Sequence, residues 1–225
     1  KDVVLPCGTF ELDSVDASGP PAVVTIKGTA LPFSAQIRQT RKSKAWEAYT
    51  LSGIAGEMAA ACGMTLMYEA ATDPFYQRVE QVDTSDIGLL SILCRQAGIS
   101  LKATSRILVL FDQAAYEAKP TVLTLRRGDG SYTKYKLNVG TADTQYASCR
   151  VSYTAPSGQC ISATAKIEDY NEDAKNNQQL EITAKVSSAA EAKALAEKLL
   201  RLHNKYAKTA TFTLPGSPQL VAGVT

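Results

Sequence analysis

The sequence predicts an α+β, strand-rich protein with a small α/β domain between β-domains. Three observations carry this. Short alternating apolar runs punctuated by Gly and Pro occupy both ends of the chain. A helix-to-strand pattern occurs twice in the middle, at an offset of 35 residues, Thr50 matching Ser85. One long amphipathic helix then stands between strand-like runs near the end.

Residues 1–41 read as the closing part of a β-domain plus a connector. Thr9 to Val15 alternates, Gly19-Pro20-Pro21 interrupts, and Val23 to Ile26 resumes. Proline cannot donate to a ladder, so the interruption is a turn or kink. The polar connector runs over 33–49. It carries a basic run, Arg38, Arg41, Lys42 and Lys44, and then the single tryptophan, Trp46. A solvated loop and an anchor packed on its own domain are the plain readings. The same five residues are the candidate interface residues.

Residues 42–113 form the α/β domain. Thr50 suits an N-cap, Leu51, Ile54, Met58 and Cys62 recur at helical spacing, and Gly63 suits the C′ position before a Met64–Tyr68 strand. The second unit repeats this plan. Ser85 caps, Asp86 complements the helix dipole, Ile87, Leu90, Cys94 and Ala97 make the stripe, and Gly98 precedes an Ile99–Ala103 strand. Thr50–Leu66 aligns on Ser85–Leu101 without a gap, which predicts a duplicated helix-strand unit whose apolar faces pack together. Ile107–Phe111 is a further strand, returning on Ile99–Ala103.

Residues 114–225 read as a second β-domain with one helix. Val122–Leu125 is expected to turn at Gly128-Asp129-Gly130 and return as Tyr132–Val139, because Asp-Gly between alternating runs signals a hairpin. Strands follow at Tyr146–Tyr153, Cys160–Ile167 and Leu180–Val186. Ser188 and Glu191 fit a capping box for a helix lined by Ala192, Leu195, Leu199 and Leu202. Thr209–Leu214 is the next strand. The first residues and the Leu220–Thr225 run both read as elements whose neighbours are missing.

The formal charge of +2 over 225 residues gives no argument for nucleic acid contact. No run approaches the ~20 apolar residues of a membrane helix. The cysteines are five, an odd number without CxxC spacing, which speaks against a metal site; Cys62 and Cys94 lie on helix stripes as core fillers. Reduced thiols fit assembly in a cytoplasm. The single histidine, His203, has no Ser or Cys nucleophile placed with it. Arg127-Gly128-Asp129 spells an adhesion tripeptide that turn chemistry already explains. Glu168, Asp169, Glu172 and Asp173 fall in a polar loop. The sequence therefore assigns no catalytic, metal-binding or cofactor-binding residues and predicts a protein that is not an enzyme.

Several segments in order carry a resemblance: Gly8-Thr9-Phe10-Glu11-Leu12-Asp13, Gly19-Pro20-Pro21, Arg41 to Glu47, Thr50 to Ala55, and Gln81 with Ser85-Asp86 and Leu89-Leu90. The Ala189–Leu202 helix, Phe212 to Pro218 and Leu220 to Gly223 continue it. Together these resemble the phage late control protein D family, the tail baseplate hub proteins. Leu89 stands where that family more often has Phe. The resemblance implies tube-type β-barrels, the first one partial, flanking the α/β domain. It implies a homotrimeric ring in the virion tail baseplate, joining the tail tube or distal tail protein to a spike protein and assembled in the bacterial host cytoplasm. The hub part of a contractile injection system or bacteriocin spike is the near alternative. A tail-associated cell-wall hydrolase or a glycan-binding module is the alternative of another class.

Overall fold

A computed structural model describes residues 4–5, 8–30, 36–104, 106–128, 130–140, 145–174 and 177–220. Asp129 and residues 221–225, named above, lie outside them, as does Cys7, one of the five cysteines. The chain divides into two compact units, Lys1–Cys94 with Ile99–Ala118, and Arg95–Gly98 with Lys119–Thr225.

The first unit opens with β1 (Glu11–Ser18) and β2 (Val23–Thr29), an antiparallel ribbon joined through the Gly-Pro-Pro turn. A short helix α1 (Gln36–Gln39) precedes β3 (Arg41–Thr50). Most of the expected polar connector is thus a strand. The cause is a partner far along the chain: β3 pairs antiparallel with β5 (Phe75–Ser85). Between them lie α2 (Leu51–Ala61) and β4 (Thr65–Glu69). After β5 come α3 (Asp86–Gln96), β6 (Ser100–Ala103), β7 (Ile107–Phe111) and α4 (Gln113–Glu117). β7 is the central strand of a three-stranded sheet, parallel to β4 and antiparallel to β6.

The duplication is present and longer than the helix-strand unit read from sequence. Each copy is strand, helix, strand: β3-α2-β4 and β5-α3-β6. α2 buries Leu51, Ile54, Ala55, Met58 and Ala59; α3 buries Asp86, Leu89, Leu90, Leu93 and Cys94, each one offset of 35 further on. The expected α3 stripe of Ile87, Leu90, Cys94 and Ala97 is rotated, because Ile87 and Ala97 are only half-buried and Asp86 turns inward. The backbone repeats as well. Ala48 and Asp83, again 35 apart, are the two non-glycine residues at positive φ among those described (54° and 42°). In the β3–β5 ladder Trp46 faces Val79 and Lys44 faces Gln81, two pairs that the offset exchanges. A ladder that maps onto itself in this way implies a local two-fold relation.

The helix ends are equivalent too. Thr50 Oγ1 accepts from Gly53 N at 3.2 Å and Ser85 Oγ from Gly88 N at 3.3 Å. Gly63 and Gly98 sit at φ of 67° and 65°, where a Cβ is strained. Met64 N then donates to Ala59 O and Ile99 N to Cys94 O, closing both helices as Schellman motifs with an apolar residue folded under the end.

The second unit holds β8 (Lys134–Val139), β9 (Ser148–Thr154), β10 (Cys160–Lys166), β11 (Gln179–Thr183), α5 (Ala189–Asn204) and β12 (Lys208–Thr213). β9 is central, antiparallel to β10 and parallel to β11. α5 covers this sheet, and its Ala192, Ala196, Leu199 and Leu200 pack on Cys149, Val151, Ala165 and Val186. Ser188 Oγ accepts from Glu191 N at 3.1 Å, and the Glu191 carboxylate accepts from Ser187 N at 2.8 Å, so the cap forms as expected but reaches back one residue further.

The hairpin expected at Gly128-Asp129-Gly130 is a correction. Gly128 and Gly130 have the positive φ of turn residues, but 121–126 carry no ladder. β8 pairs instead with β12, more than sixty residues later. This register sets Tyr132 and Tyr135 against Phe212, with ring centroids 5.4 and 6.5 Å away. The rings supply a cross-strand contact that Val122–Leu125 has no aromatic to match. Among the described residues no sheet exceeds three strands.

Candidate assembly surfaces

Two ribbons stand apart from the helix-backed sheets. In β1–β2 the register places Leu12 opposite Gly28, Val15 opposite Ile26 and Ala17 opposite Val24. Side chains alternate across a strand, so these pairs share one face. Ser14, Asp16 and Ser18 with Thr25 and Lys27 take the other face, where Lys27 pairs with Asp16 at 3.1 Å. The face that alternation makes apolar is open: Leu12 is 61% exposed, Ile26 69%. A bulge between Leu12 and Ser14 sets Asp13 beside that row.

The β8–β12 ribbon has the same design. Tyr135 faces Phe212, Leu137 faces Ala210 and Val139 faces Lys208; Lys134, Lys136 and Asn138 with three threonines form the polar side. Leu137 and Val139 are each 61% exposed. Two-stranded ribbons are marginal alone and need a covered apolar face to persist. Exposed contiguous apolar rows of this kind mark interaction surfaces.

The third ribbon, β3–β5, shows the covered case. Trp46 and Val79 are buried on its inner face. Its outer face carries a charge ladder, with Arg78 donating to Glu47 and, across one position, to Glu80. Such exposed pairs add little stability but keep a ribbon wet on one side.

The candidate interface residues fall mostly inside this ribbon's own bonding. Trp46 is 4% exposed, and its indole N–H donates to Glu57 Oε2 at 2.9 Å. Lys44 also binds Glu57 and lies 5.1 Å above the Trp46 ring. The Lys44 ammonium holds the Glu57 carboxyl below its usual range against partial burial, with the indole N–H helping. Lys42 donates to the buried Asp86 at 2.8 Å. Arg41 reaches Asp83 at 3.4 Å on the surface, and Arg38 is half-buried. The structure thus brings together Lys44, Trp46 and Glu57, and separately Lys42, Gln81 and Asp86. Sequence reasoning missed Glu57 and named Gln81 only within the resemblance, with no role. Their structural signal is position, one on α2 above Trp46 and one the duplicate of Trp46 itself.

The groups considered for chemistry are embedded in structure. Burial pushes the Cys94 thiol up to about 12 and raises Cys149 and Cys62, so these cysteines stay protonated. Burial likewise pushes the Tyr76 phenol up to about 12. His203 packs edge-on against Tyr146. In the polar loop Lys166 pairs with Glu172 at 3.2 Å and lies over Tyr170. Among the described residues no three metal-ligating side chains converge, and no helix is long and apolar enough to cross a membrane.

Comparison with known proteins adds the following. Residues 93–220 match the family described as "Putative phage tail protein". The fold is similar to the 43 kDa tail protein of prophage MuSo2 from Shewanella oneidensis, with 17% identity, TM-score 0.61, and 92% of this chain and 64% of that one covered. It is similar to a tail protein from Neisseria meningitidis MC58, with 14% identity, TM-score 0.64, and 93% and 64% covered. It is also similar to prophage tail protein gp18 from Listeria monocytogenes, with 12% identity, TM-score 0.51, and 84% and 58% covered. The chain therefore spans less than two thirds of the length of each. None of the curated proteins compared matches it.

Proposed function

The chain belongs to this family of phage tail proteins, and from that premise we propose that it is a structural baseplate hub protein. On this reading copies of the chain form a ring that joins the tail tube to a central spike. The observation that carries it is the pair of ribbons whose apolar cross-strand rows are open, with Leu12 and Leu137 each 61% exposed. A protein built to stay a monomer blunts such surfaces; a ring-forming subunit covers them with its neighbours and leaves no open edge. The resemblance to late control protein D supports the hub assignment, and a threefold ring follows from that resemblance. The role is geometric and uses no catalytic residue, cofactor or metal. Tail tube and spike proteins are the proposed partners, in a virion baseplate assembled in the host cytoplasm.

The test is the mass in solution of the full-length protein, alone and with tail tube and spike proteins of the same particle. A trimer is expected. A monomer that stays monomeric with both partners present sinks the hub reading.

A further inference from the structure

We infer that the apolar face of the β1–β2 ribbon in one copy packs on the apolar face of the β8–β12 ribbon in a second copy. The inference rests on the ring reading above and names the surfaces that make the ring.

Both faces are the right kind. Each is a short row of cross-strand pairs on a two-stranded ribbon. The rows differ in bulk: Leu12/Gly28, Val15/Ile26 and Ala17/Val24 make a shallow surface, whereas Tyr135/Phe212 and Leu137/Ala210 make a tall one at the aromatic end. A low row and a high row can pack together without leaving a void.

Charge selects the same pairing. β1 and β2 carry Glu11, Asp13 and Asp16 against Lys27, a net charge of −2. β8 and β12 carry Lys134, Lys136 and Lys208 with no acid, a net charge of +3. Two β1–β2 ribbons repel each other, as do two β8–β12 ribbons; one of each attracts. Most of these charges lie on the outer faces and act at longer range, where opposite net charge favours the unlike pairing. Lys208 lies within the apolar row opposite Val139, and Asp13 stands at the bulge beside the other row, so each face brings one charge to the contact.

A contact between two different surfaces is heterologous. It runs head to tail and closes into a ring when the rotation allows. A symmetric two-fold dimer needs a self-complementary patch, and neither ribbon is one.

The test uses the full chain as an equal mixture of isotopically heavy and light protein, joined by a carbodiimide that links amines to carboxylates at zero length. Cross-links between Lys208 and Asp13, the charges that the two contacting faces bring together, are expected in mixed heavy–light pairs. Reversing one contact charge, as K208E or as D13K, is expected to weaken association by about tenfold. Combining both in one chain restores it. These side chains are exposed, so circular dichroism of each variant should match the parent. Cross-links confined to heavy–heavy and light–light pairs would mean that each ribbon is covered within its own chain, and overturn the inference. Assembly that survives both reversals, with cross-links elsewhere, overturns the ribbon contact and leaves the ring standing. A parent chain that stays monomeric overturns both.

Discussion

The two copies of the duplicated unit share backbone, caps and helix burial, yet they part company at two equivalent positions. In the first copy these are Trp46 and Leu51, 4% and 0% exposed. In the second they are Gln81 and Asp86, each 2% exposed. The apolar pair is satisfied by packing and one indole hydrogen bond to Glu57. The polar pair needs a network. Gln81 Nε2 donates to Thr84 O at 2.7 Å and to Asp86 Oδ1 at 2.9 Å, and Lys42 Nζ donates to Asp86 Oδ2 at 2.8 Å. Gln81 Oε1 is left buried without a partner. One backbone plan thus tolerates either filling, provided a buried charge is paired. The polar filling also ties the start of β3 to the start of α3, which the apolar one does not do.

Removing one partner is the hardest blow to this comparison. Asp86→Ala strands Lys42 and Gln81, and a loss of about 3–5 kcal/mol is expected in urea unfolding. Adding Lys42→Met to it should recover part of that loss; strict additivity would show that the pair does not act as a unit. Making the second copy resemble the first, with Lys42→Met, Gln81→Leu and Asp86→Leu together, is expected to be neutral or stabilising by roughly 1–4 kcal/mol. A triple variant as unstable as Asp86→Ala would mean that the network itself specifies the fold. Thr50→Ala and Ser85→Ala remove equivalent caps and should each cost about 1 kcal/mol, with similar unfolding midpoints. Unequal losses would show that the copies are not energetically alike at their helix starts.

The smallest effect concerns pH. Cys94 duplicates Ala59, and burial raises its thiol from 9.0 to about 12. The folded state holds that proton after the unfolded chain has lost it. The contribution is therefore whole below pH 9 and declines as pH rises toward 12. Cys94→Ala should flatten part of the alkaline fall in stability measured by denaturant titration. An unchanged slope would place the thiol in water.

Much of this was legible in the sequence because it is local. Thr50, Ser85, Gly63 and Gly98 announce helix ends through cap chemistry, and Ser188 with Glu191 does the same for α5. The offset of 35 between Thr50 and Ser85 was visible in residue identities, and the preceding strands were not. Arg41–Thr50 is polar and becomes a strand only through β5. Asp86 reads as a helix-dipole residue, since nothing local says that Lys42 waits inside. The partner of β8 could not be read at all. Tyr132–Val139 alternates well, but Gly128-Asp129-Gly130 points to the wrong neighbour, and Lys208–Thr213 lies beyond a whole folded layer. The ribbon faces followed only once register was known, because pairing decides which alternate residues share a side.

That intervening layer sits between two strands that lie side by side. Val139 and Lys208 are cross-strand partners, yet β9, β10, β11 and α5 lie between them in sequence. At the mouth of this excursion Asn204 holds Tyr146 by both backbone groups, accepting from its N–H and donating to its carbonyl, each at 2.8 Å. Just outside, Gly140 N donates to Ala207 O. Closing a loop of this length costs entropy that a ribbon of six residues per strand repays poorly. Once α5 has docked on its sheet, the two ends are already together and the closure is nearly free. The expected order of folding is the helix-backed layer first and β8 on β12 after it, and pulsed hydrogen exchange that protects β8 and β12 before β9 and β10 would contradict it. On that order the basic ribbon is among the last surfaces of the subunit to form, because its two strands meet only after the layer between them has folded.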